Sequence, residues 1–208
     1  MNNIFQIIAS IVVLSMGLSQ VARADHGPGQ HDLSTELFED QRSVPAGGNF
    51  SLKSSKGTVS LAEYQGKIVI LLFGYLSCPD ICPSIMRKVA SALKHVDQLE
   101  RESVQVLFVT LDPERDTLVN LDKFVHYFDE SIIALSGTEP QIRQVASLYG
   151  VKFNKVGLEK SGRDYVINHS VASYILSPDN KIRFILSHET TSDDLVNVIH
   201  NLMKKTYP

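Results

Sequence analysis

The chain has 208 residues, of which 43% are hydrophobic and 21% are charged, and its formal net charge is -3. This length suits one globular domain with appended segments and a sizeable core. Because the chain is mildly acidic and has no run of basic residues, it offers no electrostatic surface for nucleic acid or anionic lipid, and we exclude both as partners.

The N-terminal segment has the pattern of a cleaved secretory signal peptide. Residues 4–18 are mostly apolar and carry no charge, and Ala22-Arg23-Ala24 places small residues where a signal peptidase cuts. The apolar run falls short of the roughly 20 residues that a membrane-spanning helix needs. We therefore predict a signal peptide over residues 1–24 and export to the periplasm, with an uncleaved membrane anchor as the alternative. If the segment is cleaved, the protein meets a membrane only through its partners.

Residues 25–45 are polar, rich in glycine and proline, and almost without periodicity. Such a composition is typical of a flexible lead-in that does not join the core, and the folded domain is predicted over residues 46–208. His26 and His31 lie in this lead-in and could touch a metal ion, although histidines in a solvated tail are more often incidental.

Strand-like and helix-like segments alternate through the folded domain. Residues 67–73 and 104–111 are nearly continuously apolar and rich in β-branched residues, which is typical of strands buried on both faces. Strands that alternate with crossover helices, before a final hairpin and helix, predict an α/β fold with a mixed central sheet flanked by helices. The remaining predicted elements, in chain order, are a hairpin of strands at 50–53 and 58–61, a helix that starts near Pro83 and runs to about 99, a helix at 117–128, a strand at 132–135, a helix at 139–149 ended by Gly150, a hairpin of strands at 173–176 and 181–186, and a helix at 192–205.

The only two cysteines, Cys78 and Cys82, lie between the predicted strand at 67–73 and the helix that follows it. A helix N-terminus carries partial positive charge and free N–H groups, which favour thiolate over thiol. At this spacing both side chains lie on one face of a helix, close enough to share an ion or to form a disulfide. A purely structural disulfide is a weak explanation, because so small a loop restrains the unfolded chain by only about 2 kcal/mol. The pair therefore indicates either a redox site or a soft metal site.

A metal ion needs more ligands than two thiolates, and seven histidines compete for that role. His169 is the best candidate, because it follows an extended stretch at 165–168 and stands as a polar residue in a turn beside apolar strands. Most of the others lie in predicted helices or loops and are more simply interpreted as exposed residues. Spacing alone leaves open whether His169 is a ligand or an incidental polar residue.

Three motifs in chain order give the chain a resemblance to a known family. They are Gly74-Tyr75 followed by Cys78-Pro79-Asp80-Ile81-Cys82-Pro83, then Leu111-Asp112-Pro113-Glu114-Arg115-Asp116-Thr117, and then His169-Ser170 upstream of Tyr174. Together they closely resemble the SCO/SenC family of copper-binding assembly factors for cytochrome c oxidase. The resemblance implies a thioredoxin-like fold and a copper site made by Cys78, Cys82 and His169. Thiolates select Cu(I), imidazole suits copper in either oxidation state, and tetrahedral zinc would need a fourth ligand that is not obvious here.

Two positions depart from the usual pattern of the family. Leu76 stands where threonine is usual, and Asn168 stands where an aspartate usually precedes the ligand histidine. The loss of a carboxylate beside His169 would affect affinity, since such losses around a metal site commonly cost about 10- to 100-fold. Asp112 and Asp116 either tune the charge of the site or serve as a turn and helix cap. The predicted residues around the ligands are Asp80, Asp112 and Asn168.

The sequence supports two leading hypotheses of function. In the first, implied by the resemblance, a copper chaperone binds the metal and passes it to the dinuclear copper centre of a cytochrome c oxidase subunit, or exchanges it with another copper chaperone. In the second, a thiol-disulfide reductase uses Cys78 as the attacking thiolate and Cys82 as the resolving thiol to keep the acceptor's cysteines reduced. Peroxide reduction, with Ser77 and Arg115 beside an activated cysteine, is a weaker third possibility.

Overall fold

In a computed structural model of the protein, the described residues are 45–157 and 165–206. The predicted signal peptide at 1–24, and the lead-in with His26 and His31, lie outside the described residues except for residue 45. Within the described ranges, no helix has both the length and the apolar character that a membrane crossing requires.

A five-stranded mixed sheet forms the centre of the domain, in the spatial order β5 (Ile133–Leu135), β4 (Val104–Thr110), β3 (Ile68–Gly74), β8 (Ala172–Leu176) and β9 (Ile182–Ser187). Strand β3 pairs in parallel with β4, and β4 pairs in parallel with β5, whereas β8 runs antiparallel to both β3 and β9. This confirms the predicted mixed central sheet.

Helices and a small hairpin cover the two faces of this sheet, and the interior strands are accordingly apolar on both sides. All residues of β3 are buried, with Ile70 and Leu72 packed in one apolar cluster and Val69 and Leu71 in the other. Alternate residues of a strand point to opposite faces, so each cluster receives every second side chain. The covering elements are β1 (Ser51–Ser54), β2 (Gly57–Ser60), α1 (Ile81–His95), α2 (Gln98–Glu102), α3 (Leu118–Phe128), α4 (Glu139–Leu148) and α5 (Ser192–Thr206).

The structure differs from the prediction at the helix that was expected to run to about residue 99. Helix α1 ends at His95, because Val96 is extended, with φ -81° and ψ 155°. Asp97 then caps the separate helix α2 and accepts a hydrogen bond from the Glu100 N–H at 2.8 Å. An N-cap carboxylate of this kind satisfies a free N–H group and starts a new helix, which the apolar periodicity alone did not indicate.

A second two-stranded ribbon was only half predicted. Strand β7 (Tyr165–His169) contains the extended stretch expected there, but it pairs with β6 (Phe153–Gly157), which was not predicted. The last four residues of β6 are exposed, so the strand lacks the apolar alternation that identifies a half-buried strand. His169 is therefore the last residue of a strand rather than a turn residue, and it lies opposite Phe153.

Candidate metal centre

The two cysteines lie where the chain leaves β3 and enters α1. The segment after Gly74 turns back on itself, and the Cys78 N–H donates to the Tyr75 carbonyl at 3.2 Å. Cys82 lies in the first turn of α1 and is 4% exposed, whereas Cys78 lies before the helix and is half-buried. Both cysteines are free thiols. The site thus has one accessible sulfur and one buried sulfur.

Gly74 makes room for the buried sulfur. A Cβ atom at Gly74 would lie 2.8 Å from the Cys82 Sγ and 3.0 Å from the Phe108 ring. The backbone at the end of β3 therefore forms one wall of the site, and a glycine is required there for close approach rather than for an unusual backbone angle.

The two thiols differ in acidity because one donates to the other. The pKa of Cys78 is lowered to about 4, chiefly because the Cys82 thiol donates to its sulfur, although burial acts in the opposite direction. The His169 imidazole and the backbone N–H groups of Cys82 and Asp80 lower that pKa further. The Cys82 N–H lies 3.4 Å from the Cys78 Sγ. The pKa of Cys82 is raised by its hydrogen bond to Cys78 and then by burial, so the pair holds its negative charge on Cys78.

His169 is oriented by two neighbours. Its Nδ1 lies 2.9 Å from the Ser170 carbonyl oxygen, which can only accept, so Nδ1 donates to it and Nε2 is the ring nitrogen left for another partner. Its ring lies edge-on to Tyr75, with ring centroids 6.0 Å apart and an interplanar angle of 79°. A carbonyl that fixes the tautomer in this way is the usual partner of a metal-binding histidine.

The structure brings the three predicted ligands together around the Cys78 sulfur. The Cys82 N–H lies 3.4 Å from that sulfur, and the His169 side chain lies near enough to lower the pKa of Cys78. In the described part of the chain, no three His, Cys, Asp or Glu side chains are already spaced as a metal cluster. The three side chains nevertheless lie in one region of the domain, and a donor set of two sulfurs and one imidazole nitrogen fits the preferences of copper.

Two of the residues predicted to surround the ligands are exposed. Asp80 is exposed and takes the N-cap position of α1 without a side-chain cap hydrogen bond. Asn168 is exposed and lies opposite Asn154 in the β6–β7 ladder. Because neighbouring residues of a strand face opposite sides, the Asn168 side chain points away from the face that carries His169.

The loop between β4 and α3 contains two buried carboxylates. One contacts the segment that leads to the cysteines, and the other contacts the strand that ends at His169. The Asp112 side chain accepts hydrogen bonds from Arg115 Nε and, at 2.7 Å, from the Tyr165 hydroxyl. The Asp116 side chain accepts from the Leu76 N–H at 3.1 Å and from the Thr110 hydroxyl at 2.6 Å. Burial raises the pKa of Asp116, while those two hydrogen bonds lower it in part.

The cap and turn proposed for this loop are present, but the cap belongs to another residue. Thr117 is the N-cap of α3 and accepts from the Asn120 N–H at 3.3 Å. The turn is closed by the Asp116 N–H, which donates to the Asp112 carbonyl at 2.9 Å. Leu76, which stands where the family usually has threonine, lies nearby. Its side chain packs against the core cluster that includes residues of α1 and α3.

Comparison with known proteins identifies the family of the chain. Residues 39–204 match the family model described as SCO1/SenC. The chain belongs to the SCO1/SenC family. It is 32% identical over 203 residues to the bovine (Bos taurus) protein named Protein SCO2 homolog, mitochondrial, and the match covers 95% of this chain and 74% of that protein.

Solved structures of similar proteins share the fold. The chain resembles yeast Sco1 with copper bound, with a TM-score of 0.71 and 30% identity over 79% of this chain and 91% of that one. It also resembles Arabidopsis thaliana ScoI with copper bound, with a TM-score of 0.69 and 32% identity over 77% of this chain and 99% of that one. These neighbours confirm the predicted thioredoxin-like fold of this member of the SCO1/SenC family.

Proposed function

We propose that the protein is a copper chaperone that carries copper on Cys78, Cys82 and His169 and delivers it to the dinuclear copper centre of cytochrome c oxidase during assembly. The observation that carries this proposal is the proximity of Cys82 and His169 to the Cys78 sulfur: the Cys82 N–H lies 3.4 Å from it, and the His169 ring packs against Tyr75 of the loop that leads to Cys78. Two similar solved proteins, at 30% and 32% identity, are described with copper bound, which supports copper as the cargo.

The donor set suits a carrier better than a permanent holder of the metal. Two thiolates favour Cu(I), and a third ligand of imidazole type leaves the coordination sphere incomplete. Because Cys78 is half-buried rather than enclosed, a ligand from an acceptor protein can approach on that side. Transfer then proceeds by exchange of one ligand at a time, and the acceptor is an oxidase subunit or another copper chaperone.

The proposal includes export and a matching domain organisation. Residues 1–24 would act as a signal peptide, residues 25–45 would form a polar lead-in, and residues 46–208 would form the copper-binding domain in the periplasm. An oxidising compartment favours the disulfide of two close thiols, so the cysteines must be reduced before they bind metal.

Thiol-disulfide reduction is a second candidate function, and the contrast between the thiols favours it. The accessible Cys78 has the lowered pKa, and the buried Cys82 has the raised one. The Cys78 thiolate would attack a partner disulfide and expel one partner thiolate, which takes the Cys82 proton. The Cys82 thiolate would then attack the Cys78 sulfur of the mixed disulfide, expel the second partner sulfur as a thiolate and close a Cys78–Cys82 disulfide. Two electrons pass to the partner, and a dithiol reductant must restore the pair.

His169 separates the two functions, because a copper carrier needs its imidazole and a dithiol reductase does not. In the purified reduced protein, we expect His169→Ala to weaken copper binding at least about tenfold and to leave reduction of a model disulfide nearly unchanged. Copper competition titrations would measure the first effect, and a thiol-disulfide exchange assay would measure the second. His188→Ala, in an exposed loop, is the matched control and should change neither.

The same variants decide the role of the protein in cells. In cells that lack the wild-type protein, Cys78→Ser, Cys82→Ser and His169→Ala should each lower oxidase activity when copper is limiting. If His169→Ala supports normal oxidase activity at limiting copper while Cys78→Ser does not, the copper-carrier proposal fails and the reductase takes its place.

A further inference from the structure

The loop that joins β4 to α3, residues 111–117, contacts both of the segments that carry the proposed ligands. One segment leads from β3 to the cysteines, and the other is the β6–β7 ribbon that ends at His169. These two segments lie far apart in the chain, so a shared support is required to set the distance between the sulfurs and the imidazole.

On the cysteine side, the support is Asp116. The residue is 3% exposed. Its carboxylate accepts hydrogen bonds from the Leu76 N–H, which lies two residues before Cys78, and from the Thr110 hydroxyl. The Leu111 N–H also donates to the Gly74 carbonyl at 2.7 Å. The backbone between Gly74 and Leu76 is thereby fixed to the end of β4.

On the histidine side, the support is Asp112, which is fully buried. The Tyr165 hydroxyl donates to it, and Arg115 binds the same tyrosine twice: its Nη1 donates to the Tyr165 carbonyl at 2.9 Å, and its guanidinium lies 3.7 Å from the centre of the ring. Tyr165, Ile167 and His169 share one face of β7, since alternate strand residues point the same way. These contacts hold the first residue of β7 against the 111–117 loop, while Ile167 on the same face is buried in the core.

Thr110 joins the two supports. Its hydroxyl accepts from the Asp112 N–H at 2.9 Å and donates to Asp116. A hydrogen-bonded path therefore runs from the backbone beside the cysteines to the start of the strand that carries His169. Hydrogen bonds of this kind to buried carboxylates are stronger than those between neutral groups and hold their partners in a fixed geometry.

We propose that Asp112, Arg115 and Tyr165 form a positioning clamp, which holds His169 at binding distance from the cysteine pair without touching the metal. This inference rests on the proposed copper-carrier function and deepens it. Tyr165→Phe removes one hydroxyl and leaves all three ligands in place, yet we expect copper affinity to fall about 10-fold, the lower end for residues that orient metal ligands.

A double-mutant cycle tests whether Tyr165 acts through His169. Copper affinity would be measured for the wild type, Tyr165→Phe, His169→Ala and the double variant. If the clamp acts by placing His169, then Tyr165→Phe has little further effect once the imidazole is gone. Additive losses would overturn the proposal, as would full affinity in Tyr165→Phe. Tyr127→Phe is the matched control, because Tyr127 is 84% exposed on α3. The copper affinity of this variant should equal that of the wild type.

A second readout uses no copper and so separates this inference from the proposed function. In the metal-free protein, Tyr165→Phe should speed hydrogen exchange of the β6–β7 amides while leaving the amides of β3 and β4 unchanged. Unchanged exchange in the ribbon would overturn the clamp even if copper binds as proposed. Conversely, if the wild-type protein does not bind copper, the carrier function is overturned. Hydrogen exchange of the metal-free protein then still tests the clamp. If Tyr165→Phe does not fold, Arg115→Lys keeps the charge and removes the paired contact with Tyr165, and the same readouts apply.

Discussion

At the scale of single residues, the position of the Cys82 sulfur depends on a neighbour that has no side chain. The sulfur lies against the Gly74 backbone with the Phe108 ring beside it, and the residue is almost fully buried. It therefore has no open space into which it can move if Gly74 is enlarged. Packed interiors respond to one added methyl group by shifting side chains away from their preferred positions.

We expect Gly74→Ala to displace Cys82 and weaken copper binding although it changes no ligand. The new methyl group would overlap the Cys82 sulfur, and overpacking of this kind typically costs about 1–3 kcal/mol in the free energy of unfolding. Urea unfolding and a copper titration would measure both effects. Gly157→Ala is the control, because a Cβ there meets no atom within 4 Å. Equal behaviour of the two variants would contradict the close approach at Gly74.

The family motifs in the sequence predicted the three proposed ligands and pointed to Asp112 and Asp116 near them, but not to Thr110 or Tyr165. Cys78, Cys82 and His169 have chemistry that few residues share, and the family motifs mark them. Thr110 and Tyr165 are ordinary strand residues. The partner of Tyr165, Asp112, is distant in the chain, and the partner of Thr110, Asp116, is brought to it only by the turn that follows. A single hydroxyl that reaches a buried carboxylate leaves no periodic pattern, so its role appears only when the fold brings the partners together.

At the scale of elements, prediction succeeded where burial imposed a pattern. The buried strands β3 and β4 and the amphipathic helices were found within a few residues of their bounds, since an apolar face must be repeated along an element. Strand β6 was missed because its residues are mostly exposed and show no apolar alternation. The break after α1 was missed because a cap is set by one residue, Asp97.

Arg101 connects three helices at this break. Its Nη1 donates to the Leu93 carbonyl of α1 at 2.9 Å, and its Nη2 donates to both oxygens of Asp129, at the end of α3, at 2.9 and 2.8 Å. Burial tends to raise the pKa of Asp129, but hydrogen bonds from Ser131 and Arg101 outweigh it, and the net pKa is below its usual value. A carboxylate with a lowered folded-state pKa stabilises the fold only while it is ionised.

We therefore expect the effect of Asp129→Asn to depend on pH. Near pH 7 the free energy of unfolding of the variant should be about 1 kcal/mol lower than that of the wild type. This value allows for the partial exposure of Arg101. The difference should be fully present above the unfolded-state pKa of about 4 and should shrink as the pH falls through the lower folded-state pKa. Urea unfolding of both proteins at neutral and strongly acidic pH would measure it. A difference that is the same at both pH values would show that the stabilisation does not come from the ionised carboxylate.

At the scale of the whole molecule, the proposed site exists only in the folded domain. The thiols come from the segment after β3, whereas the imidazole comes from the ribbon that precedes β8. An unfolded chain can still offer two neighbouring thiols to a metal, but it cannot hold the imidazole beside them. Copper should therefore bind the folded state more tightly than the unfolded one, and binding energy should appear as added stability.

We expect Cu(I) to raise the melting temperature of the reduced protein and to have no such effect on the protein that carries the Cys78–Cys82 disulfide. A ligand at 100 times its dissociation constant adds about 2.7 kcal/mol to the folded state, less any binding to the unfolded chain. Thermal unfolding under anaerobic conditions would compare the two forms, with mass spectrometry to verify the oxidation state. Equal stabilisation of the oxidised form would mean that the metal binds without these sulfurs, for example through His26 and His31.

The unequal exposure of the two sulfurs also orders events in time. Any reagent or acceptor that approaches from solvent meets the half-buried Cys78 first, whereas Cys82 is shielded by the end of β3 and by α1. Alkylation of the reduced protein should accordingly begin at Cys78, and departure of a bound ion should begin with the bond to that sulfur. Cys82 would then be the last protein ligand to let go, which keeps the ion attached until the acceptor has already bound it.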